Sequence, residues 1–530
     1  MKQKWKVLVD GRNLDEDEII DAVLKARGID NPDAFFNPTE NDLIDFDEMK
    51  NLDEAYQIVS NGINNGWNFV IHGDVDCDGC TSAAIMYRYL KHYTDSIALT
   101  INSGKNHGIH SDYKCSVIKD KTVLIIVDSI NENYDVVYDY AKNNNLEIKV
   151  VILDHHIIPE NFDNRPVLVS SANDYPNPQL SGAGVCLTFC QCFDYMELTD
   201  YADELYDLTA CGMVADMVDM TVIENRYIVK HGLENLVNPG IKAVIGNYQF
   251  DSTSISFSIA PLVNAACRTF NNELAMNLFI EDDVDKVYQI LEQLRACKAY
   301  QDDVVAKMMP EVMKQNDAQI NNKVSVFLIE PRKDVSVAGL LGNKLCDVLQ
   351  KPVLVLNKSD DVLTGSARAV GLKSFIDYTK EQKVEFSSGH ENAHGIGIKK
   401  ENLLAVRVGL EQTLKDVEFI NERDVDIQLN TKQITRSLID KFKYYSKITG
   451  ECFKPLTVCV KGISGATSKP MSSGKHMRMI KDDVNFIKWN SKDDMTGKTF
   501  DIIGTLDSAY WGRRLNFNVI IDSINVEGME

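Results

Sequence analysis

The chain has 530 residues, 44% hydrophobic and 25% charged, with a formal net charge of −22. That length exceeds one core, so three or four domains of ordinary soluble composition are expected. Apolar runs such as TVLIIV and PVLVLN are far too short to span a bilayer, and the opening MKQKWKVLVDGRNLDEDE meets acids after a short apolar patch. Both features argue against a membrane span or signal peptide and for a cytoplasmic protein.

Acidity of this size repels nucleic acid, but it is unevenly spread. Residues 431–530 hold 16 Lys and Arg against 11 Asp and Glu, so a mildly basic tail follows an acidic body and can bind a strand locally. The twelve cysteines are scattered, with Cys115, Cys211, Cys267, Cys297 and Cys346 each alone. They are expected to be reduced and to pack as small hydrophobes.

In chain order, residues 1–50 are acidic and helical in tendency. From residue 51 the pattern alternates: strand WNFVIH, helix TSAAIMYRYLKHY, strands SIALTI and TVLIIVD, helix NYDVVYDYAKNNN, strand EIKVVILD. Continuous Val and Ile runs separated by helices predict a parallel sheet buried on both faces, with function just past the strand C-termini. This domain is expected to run to residue 250, and a helical connector over 251–325 joins it to a second α/β region at 326–422. Residues 423–530, with LTVCVKG, VNFIKW, TFDIIGTL and RLNFNVIIDSI between polar turns, predict a small β-barrel.

Ionisable residues stand at the ends of three of these strands. VIHGDVDCD supplies His72, Asp74, Asp76 and Asp78; LIIVDS supplies Asp128; VVILDHH supplies Asp154, His155 and His156. A single strand-end Asp is ordinarily a helix cap, and a lone His pair ordinarily a hydrogen-bonded loop. Three such ends in one sheet are another matter, because buried charges need a counter-charge. Divalent cations provide one, and mixed Asp and His ligands suit Mn²⁺, or Mg²⁺ where oxygen dominates. Cys77 and Cys80 make a competing C-x-x-C pair. No second C-x-x-C pair completes a zinc site, and an acidic surrounding disfavours the thiolate a redox motif needs.

These motifs resemble those of the DHH phosphoesterase superfamily, and within it the RecJ single-strand-specific 5′→3′ DNA exonucleases. HGDVDCDGCTS is similar to the first motif, and LDHH to the motif that names the superfamily. DYPNPQLSGAGV and GMVADMVDMTVIENRYIVKHGL follow, the latter bearing Asp216. APLVNAACR resembles the linker element, GSARAV and SSGHENAHGIGI the two motifs of a DHHA1 domain, and the segment from GKHMRMI to VIIDSI an OB-fold. The chain departs from the pattern at three places: Cys267 and Ser388 replace glycines, and the pair Ser129-Ile130 follows Asp128 where D-x-G is usual.

The resemblance implies a parallel-sheet DHH domain and an α/β DHHA1 domain joined by a long helix, with a C-terminal OB-fold barrel. It implies two divalent cations, Mn²⁺ or Mg²⁺, on Asp76, Asp78, Asp128, His155 and Asp216, with Asp128 as the bridge and Asp74 and His72 as ligands or supports. Asp154 would orient the imidazoles and His156 would contact a phosphoryl oxygen, which places Asp74, Asp128, Asp154 and His156 in the catalytic set. Arg268, Ser366 and Arg368 would hold the phosphate at the 5′ end, Gly389 and His390 would bind substrate from the element that faces the cleft, and Lys475, His476, Trp489, Trp511, Arg513 and Arg514 would hold the strand. The implied activity is release of 5′-mononucleotides from single-stranded DNA in recombination, repair or degradation. The implied chain is a monomer, with a single-strand-binding protein or a helicase as candidate partners. Two alternatives stand beside it: a phosphodiesterase of short oligonucleotides or cyclic dinucleotides, and a DNA-binding scaffold without catalysis.

Overall fold

The structure is a computed structural model, and it describes residues 4–103, 107–111, 113–419, 422–511 and 514–526. Eighteen strands are described, in three sheets.

Strand β1 (Lys4–Asp10) is the first element. Next come β2 (Asn68–Gly73), β3 (Ile97–Ile101), β4 (Thr122–Val127), β5 (Ile148–Asp154) and β6 (Val167–Ser170), which form a wholly parallel sheet in the order β3-β2-β4-β5-β6. Central strands β2 and β4 are buried nearly throughout, as their unbroken apolar runs predict. The chain starts in the interior of this sheet, moves outward to β3, then crosses back to β4. The order therefore reverses between β2 and β4, and the crevice beyond their C-terminal ends is where such sheets bind ligands.

The second lobe contains β7 (Ser325–Ile329), β8 (Val353–Asn357), β9 (Val362–Arg368), β10 (Phe386–His390) and β11 (Ala393–Lys399) in the order β10-β11-β9-β8-β7. Only β7 and β8 pair in parallel. The last group is β12 (Glu422–Leu429), β13 (Thr457–Ile463), β14 (Thr467–Met471), β15 (His476–Lys481), β16 (Val484–Lys488), β17 (Phe500–Trp511) and β18 (Arg514–Val526). Here β13 and β14 are two halves of one bent strand, separated only by Ser464, Gly465 and Ala466, with Gly465 at φ +65°. One half pairs with β17 and the other with β15. The row β14-β15-β16-β18-β17-β13 thus returns to its own starting strand, and the expected barrel closes.

Two expectations about organisation need correction. Residues 1–50 are not simply helical: β1 adds in parallel to β12 at the edge of the barrel sheet. Its alternating KWKVLVD pattern is a strand pattern, but its partner lies more than 400 residues away, which no local reading reveals. The stretch 251–325 is also more than a connector. Ile255, Ile259, Val263, Leu278 and Phe279 join the core of the parallel-sheet domain. The helix Val284–Lys314 then buries Leu291 and Leu294 in that core and Val304, Val305 and Val312 in the core of the second lobe. One rigid rod is anchored at each end in a different body.

The N-terminal segment, the parallel-sheet domain and the barrel share one apolar core. Arg226 fastens the junction. Its buried guanidinium donates to the carbonyls of Phe35 (2.8 Å) and Met220 (3.1 Å) and lies 4.0 Å over the Phe35 ring and 5.1 Å from Phe453. Burial without a carboxylate partner lowers its pKa to about 9.

Candidate metal centre

The acids reach the β2/β4 crevice because each strand ends on a short turn into a helix. Beyond β2, Asp76 caps the helix Cys77–Lys91, its Oδ1 accepting from the Gly79 amide at 3.1 Å. Gly79 is required there, since a Cβ would sit 2.5 Å from the Cβ of Asp74. Asp78, in the first turn of that helix, is buried and faces the start of the helix Gly182–Glu197. It accepts from Ser181 Oγ (2.9 Å) and the amides of Gly182 (2.8 Å) and Ala183 (3.2 Å). Burial and neighbouring Asp76 push its carboxyl up to about 6 against the pull of those three donors.

Asp128 follows β4 at φ +58°, a left-handed conformation that is uncommon outside glycine. Its amide donates to the Leu153 carbonyl at 2.9 Å, which holds the turn against β5. Gly182 leaves room for it: a Cβ there would lie 2.6 Å from Asp128 Oδ1. Burial, then the charges of Asp78, Asp76 and Asp74, drive the Asp128 carboxyl well above its ordinary range. A strained backbone beneath a buried, unneutralised carboxylate is a conformation that folds keep for function.

At the end of β5, Asp154 is fully buried. Its Oδ1 accepts from the His155 amide (2.7 Å) and His156 Nδ1 (2.9 Å). Burial alone would raise Asp154, but the hydrogen bond and charge of His156 outweigh it and the carboxyl stays below its usual range. The same bond overcomes burial at His156 and lifts that half-exposed imidazole to about 9. His155 is the opposite case. Burial and the charge of His156 lower it to about 4, so at neutral pH its ring is uncharged and carries an open lone pair.

Three overlapping groups result, each with candidate ligand atoms within 4.8 Å of one another: Asp74, Asp76 and Asp128; Asp78, His155 and Asp216; and Asp128, Asp154, His155 and His156. Asp128 and His155 each belong to two of them, and Asp128 Oδ1 stands 3.1 Å from His155 Nε2. Asp216 enters from the end of the helix Tyr206–Ala215, its carboxyl driven up by burial and by Asp78. Asp74 Oδ1, Asp128 Oδ1, Asp154 Oδ2 and His155 Nε2 are all buried with no hydrogen-bond partner. Orphaned acceptors in this number are costly unless a cation fills the space between them, and a donor set of carboxylate oxygens and neutral imidazole fits Mn²⁺ or Mg²⁺.

His72 is the one predicted ligand outside all three groups. It is buried, its Nδ1 faces Thr100 Oγ1 at 3.0 Å, and its ring stands edge-on to Tyr113. Burial lowers it to about 4. Sequence reasoning passed over two features. His107 donates to Asp74 Oδ2 at 2.6 Å, and the amides opening the Gly182 helix clamp Asp78. The SGAG run after DYPNPQL hinted at the second, while nothing local marked the first.

Cys77 and Cys80 are sealed inside; burial drives the Cys77 thiol, and a hydrogen bond with Cys267 followed by burial drives the Cys80 thiol, well above the ordinary range. Among the twelve cysteines, Cys452 is exposed. A thiol reagent applied to native protein is expected to label Cys452 and to spare Cys77 and Cys80, as read by peptide mass spectrometry.

Of the second lobe's predicted residues, His390 is the one tied to the crevice by its effect on His155. His390, at the end of β10, lies close enough to His155 for its charge to depress that ring, and Gly389 before it adopts φ +129°. Arg268 ends the helix Ala260–Arg268, where the Ser336 amide of the second lobe donates to its carbonyl at 2.8 Å. Its guanidinium, lowered by burial, feels the charge of Asp76. Arg368, at the end of β9, donates to Asn343 Oδ1 (2.6 Å), Ser366 Oγ (2.5 Å) and the Ala367 carbonyl (2.7 Å). Burial and the nearby charge of Arg268 lower it too. Two buried guanidiniums whose charges repel one another are an arrangement that a bound anion would relieve.

On the barrel, Trp489 is 46% exposed and meets His476 edge-on at 4.8 Å, and His476 Nδ1 accepts from the Asn490 amide at 3.0 Å. Lys475 immediately precedes them. Trp511 and Arg514 pair across β17 and β18. Their side chains, like Arg513 as a whole, lie outside the described residues.

Residues 68–213 match the DHH family, N-terminal domain. The chain is 26% identical over 528 residues to the Bacillus subtilis (strain 168) protein named "Putative SPbeta prophage-derived single-strand DNA-specific exonuclease YorK", covering 91% of this chain and 90% of that one. It is 24% identical over 527 residues to the single-stranded-DNA-specific exonuclease RecJ of the same organism, covering 94% of this chain and 66% of RecJ. Among solved structures, RecJ of Thermus thermophilus in complex with Mn²⁺ superposes with a TM-score of 0.78 at 20% identity, over 98% of this chain and 79% of that one. The fold thus agrees with that likeness: residues 68–213 match the DHH family's N-terminal domain, and the chain as a whole is similar in fold to RecJ.

Proposed function

We propose that the protein is a metal-dependent, single-strand-specific 5′→3′ DNA exonuclease that releases 5′-mononucleotides. The observation that carries this reading is the set of three overlapping ligand groups at the β2/β4 crevice, with buried acceptors left open toward one another. Asp76, Asp78, Asp128, His155 and Asp216 would hold two Mn²⁺ or Mg²⁺ ions, supported by Asp74 and Asp154. When bound, such a pair supplies charge neutralisation and activates water for an in-line displacement at phosphorus.

The chain's own residues do the rest. Charged His156, braced by Asp154, is exposed enough to donate to a phosphoryl oxygen. Arg268 and Arg368, with Ser366, supply the anion pocket in which a terminal 5′-phosphate is held, and this sets the polarity of digestion. Gly389 lets β10 turn so that His390 approaches the reacting end. In this reading residues 51–250 carry the chemistry, 326–422 hold the 5′ end, and 423–530 grip the strand behind it. Lys475, His476 and Trp489 would offer a charged stacking surface. One chain supplies every residue, so a monomer suffices, and strands exposed by a helicase or held by a single-strand-binding protein would be its targets. Among the described residues no helix is long and apolar enough to cross a membrane.

Time-resolved digestion of single and duplex DNA, labelled at the 5′ or the 3′ end, tests this with Mn²⁺, Mg²⁺ or chelator present. The expected result is immediate release of the 5′ label as mononucleotide from single strands, persistence of the 3′ label on shortening products, and no reaction with chelator. Hydrolysis of dinucleotides with long strands left intact would favour a short-oligonucleotide phosphodiesterase instead.

A further inference from the structure

The hydrogen bond from His107 to Asp74 is not explained by cation ligation alone. Asp74 is buried at the end of β2, with its backbone packed on Gly79. One of its oxygens, Oδ2, accepts from His107 Nδ1 at 2.6 Å. The other, Oδ1, is buried with no partner, and a carboxylate oxygen of Asp74 lies within 4.8 Å of ligand atoms of Asp76 and Asp128. The imidazole itself is more than half exposed at the rim of the crevice.

The loop that carries His107 is pinned to the strand end that carries Asp128. The Ile109 amide donates to Asn131 Oδ1 at 2.7 Å, and the Asn131 amide donates to the Tyr134 hydroxyl at 2.8 Å. Gly108, at φ +68°, allows the approach, since a Cβ there would meet Asn131 Oδ1 at 2.2 Å. Asn102 Nδ2 closes the loop on the Gly108 carbonyl at 2.5 Å. His107 is therefore set by the turn after β4 while it holds an acid from the turn after β2.

We infer that His107 is a positioning residue that fixes Asp74 in a one-oxygen binding mode, with Oδ2 occupied and Oδ1 presented to the cation shared with Asp76 and Asp128. This rests on the metal-centre reading above. A carboxylate with both oxygens open can rotate or chelate through both, whereas one held through Oδ2 offers a single lone-pair direction. Partners that orient ligands in this way typically contribute about 10–100-fold to metal affinity.

The test is titration of the full-length protein with Mn²⁺ alone, by calorimetry and electron paramagnetic resonance, for wild type, His107→Ala and His107→Asn. Asparagine places an amide donor close to the position of Nδ1. His107→Ala is expected to bind one Mn²⁺ about 10-fold or more weakly with an altered resonance spectrum, and His107→Asn to recover most of the loss. With DNA, kcat should fall for the alanine variant and recover with added Mn²⁺, while KM for the strand stays put. Alanine binding Mn²⁺ as tightly as wild type would overturn the inference and leave the metal centre standing. So would an equal loss in both variants, because donation to Oδ2 would then not be the cause. A wild type that binds no Mn²⁺ would remove the metal centre and this inference with it.

Discussion

Asp128→Asn is expected to lower the rate of strand digestion by about 10³-fold or more, and at the same time to raise the melting temperature of the metal-free protein. The first effect follows from removing the carboxylate that two ligand groups share, where several kcal/mol of cation binding and charge stabilisation are concentrated. The second follows from the sign of its shift. The folded protein raises Asp128 well above its unfolded value of about 3.9, so folding favours the protonated form. Its contribution to stability is present at low pH and is lost as pH rises from the unfolded value toward the folded one. At neutral pH, without metal, the charge works against folding. Asparagine removes that charge and tolerates the φ of +58° better than alanine would. A gain of about 1 kcal/mol would appear as roughly 2–4 °C in the transition of this domain. Added Mn²⁺ should stabilise the wild type and have far less effect on the variant. Scanning calorimetry with and without Mn²⁺, beside a nuclease assay, checks all three statements. Full activity in the variant, or an unchanged response to Mn²⁺, would remove Asp128 from the centre.

Replacing Arg268 or Arg368 with alanine is expected to cut kcat/KM for a 5′-phosphorylated strand by roughly 10–100-fold, the value of one charge-assisted hydrogen bond at about 1.5–3 kcal/mol. Wild type should favour a 5′-phosphate over a 5′-hydroxyl, and the variants should lose that preference. The loss should fall mainly on KM if the pocket only binds, and on kcat as well if it also sets the reacting phosphate in line. The Arg368 guanidinium also holds Ser366, Asn343 and the Ala367 carbonyl, so its variant should melt slightly lower than the Arg268 variant. Competition between strands that differ only in the 5′ end, with melting curves as the control, separates binding from folding. Unchanged end preference in both variants would place the 5′-phosphate elsewhere.

Much of this centre was legible in the residues. An unbroken apolar run that stops on Asp or His has a local cause, burial on both faces of a sheet followed by a polar turn. Asp76, Asp78, Asp128, His155 and Asp216 were identified on that basis and on motif likeness, and the fold brings them together. Asp154 as the brace of His156 was equally readable, because the two are near neighbours.

What the sequence by itself determined was which segments become strands and helices, and that acids stand at strand ends, since both depend on side chains a few positions apart. Tertiary structure alone decided how those segments were arranged. It placed β2 beside β4, drew β1 across more than 400 residues to β12, left His72 facing Thr100 and brought His107 onto Asp74. Each of these depends on which surfaces are buried against one another when the whole chain condenses, and a side chain's partner across such a surface has no fixed spacing along the chain.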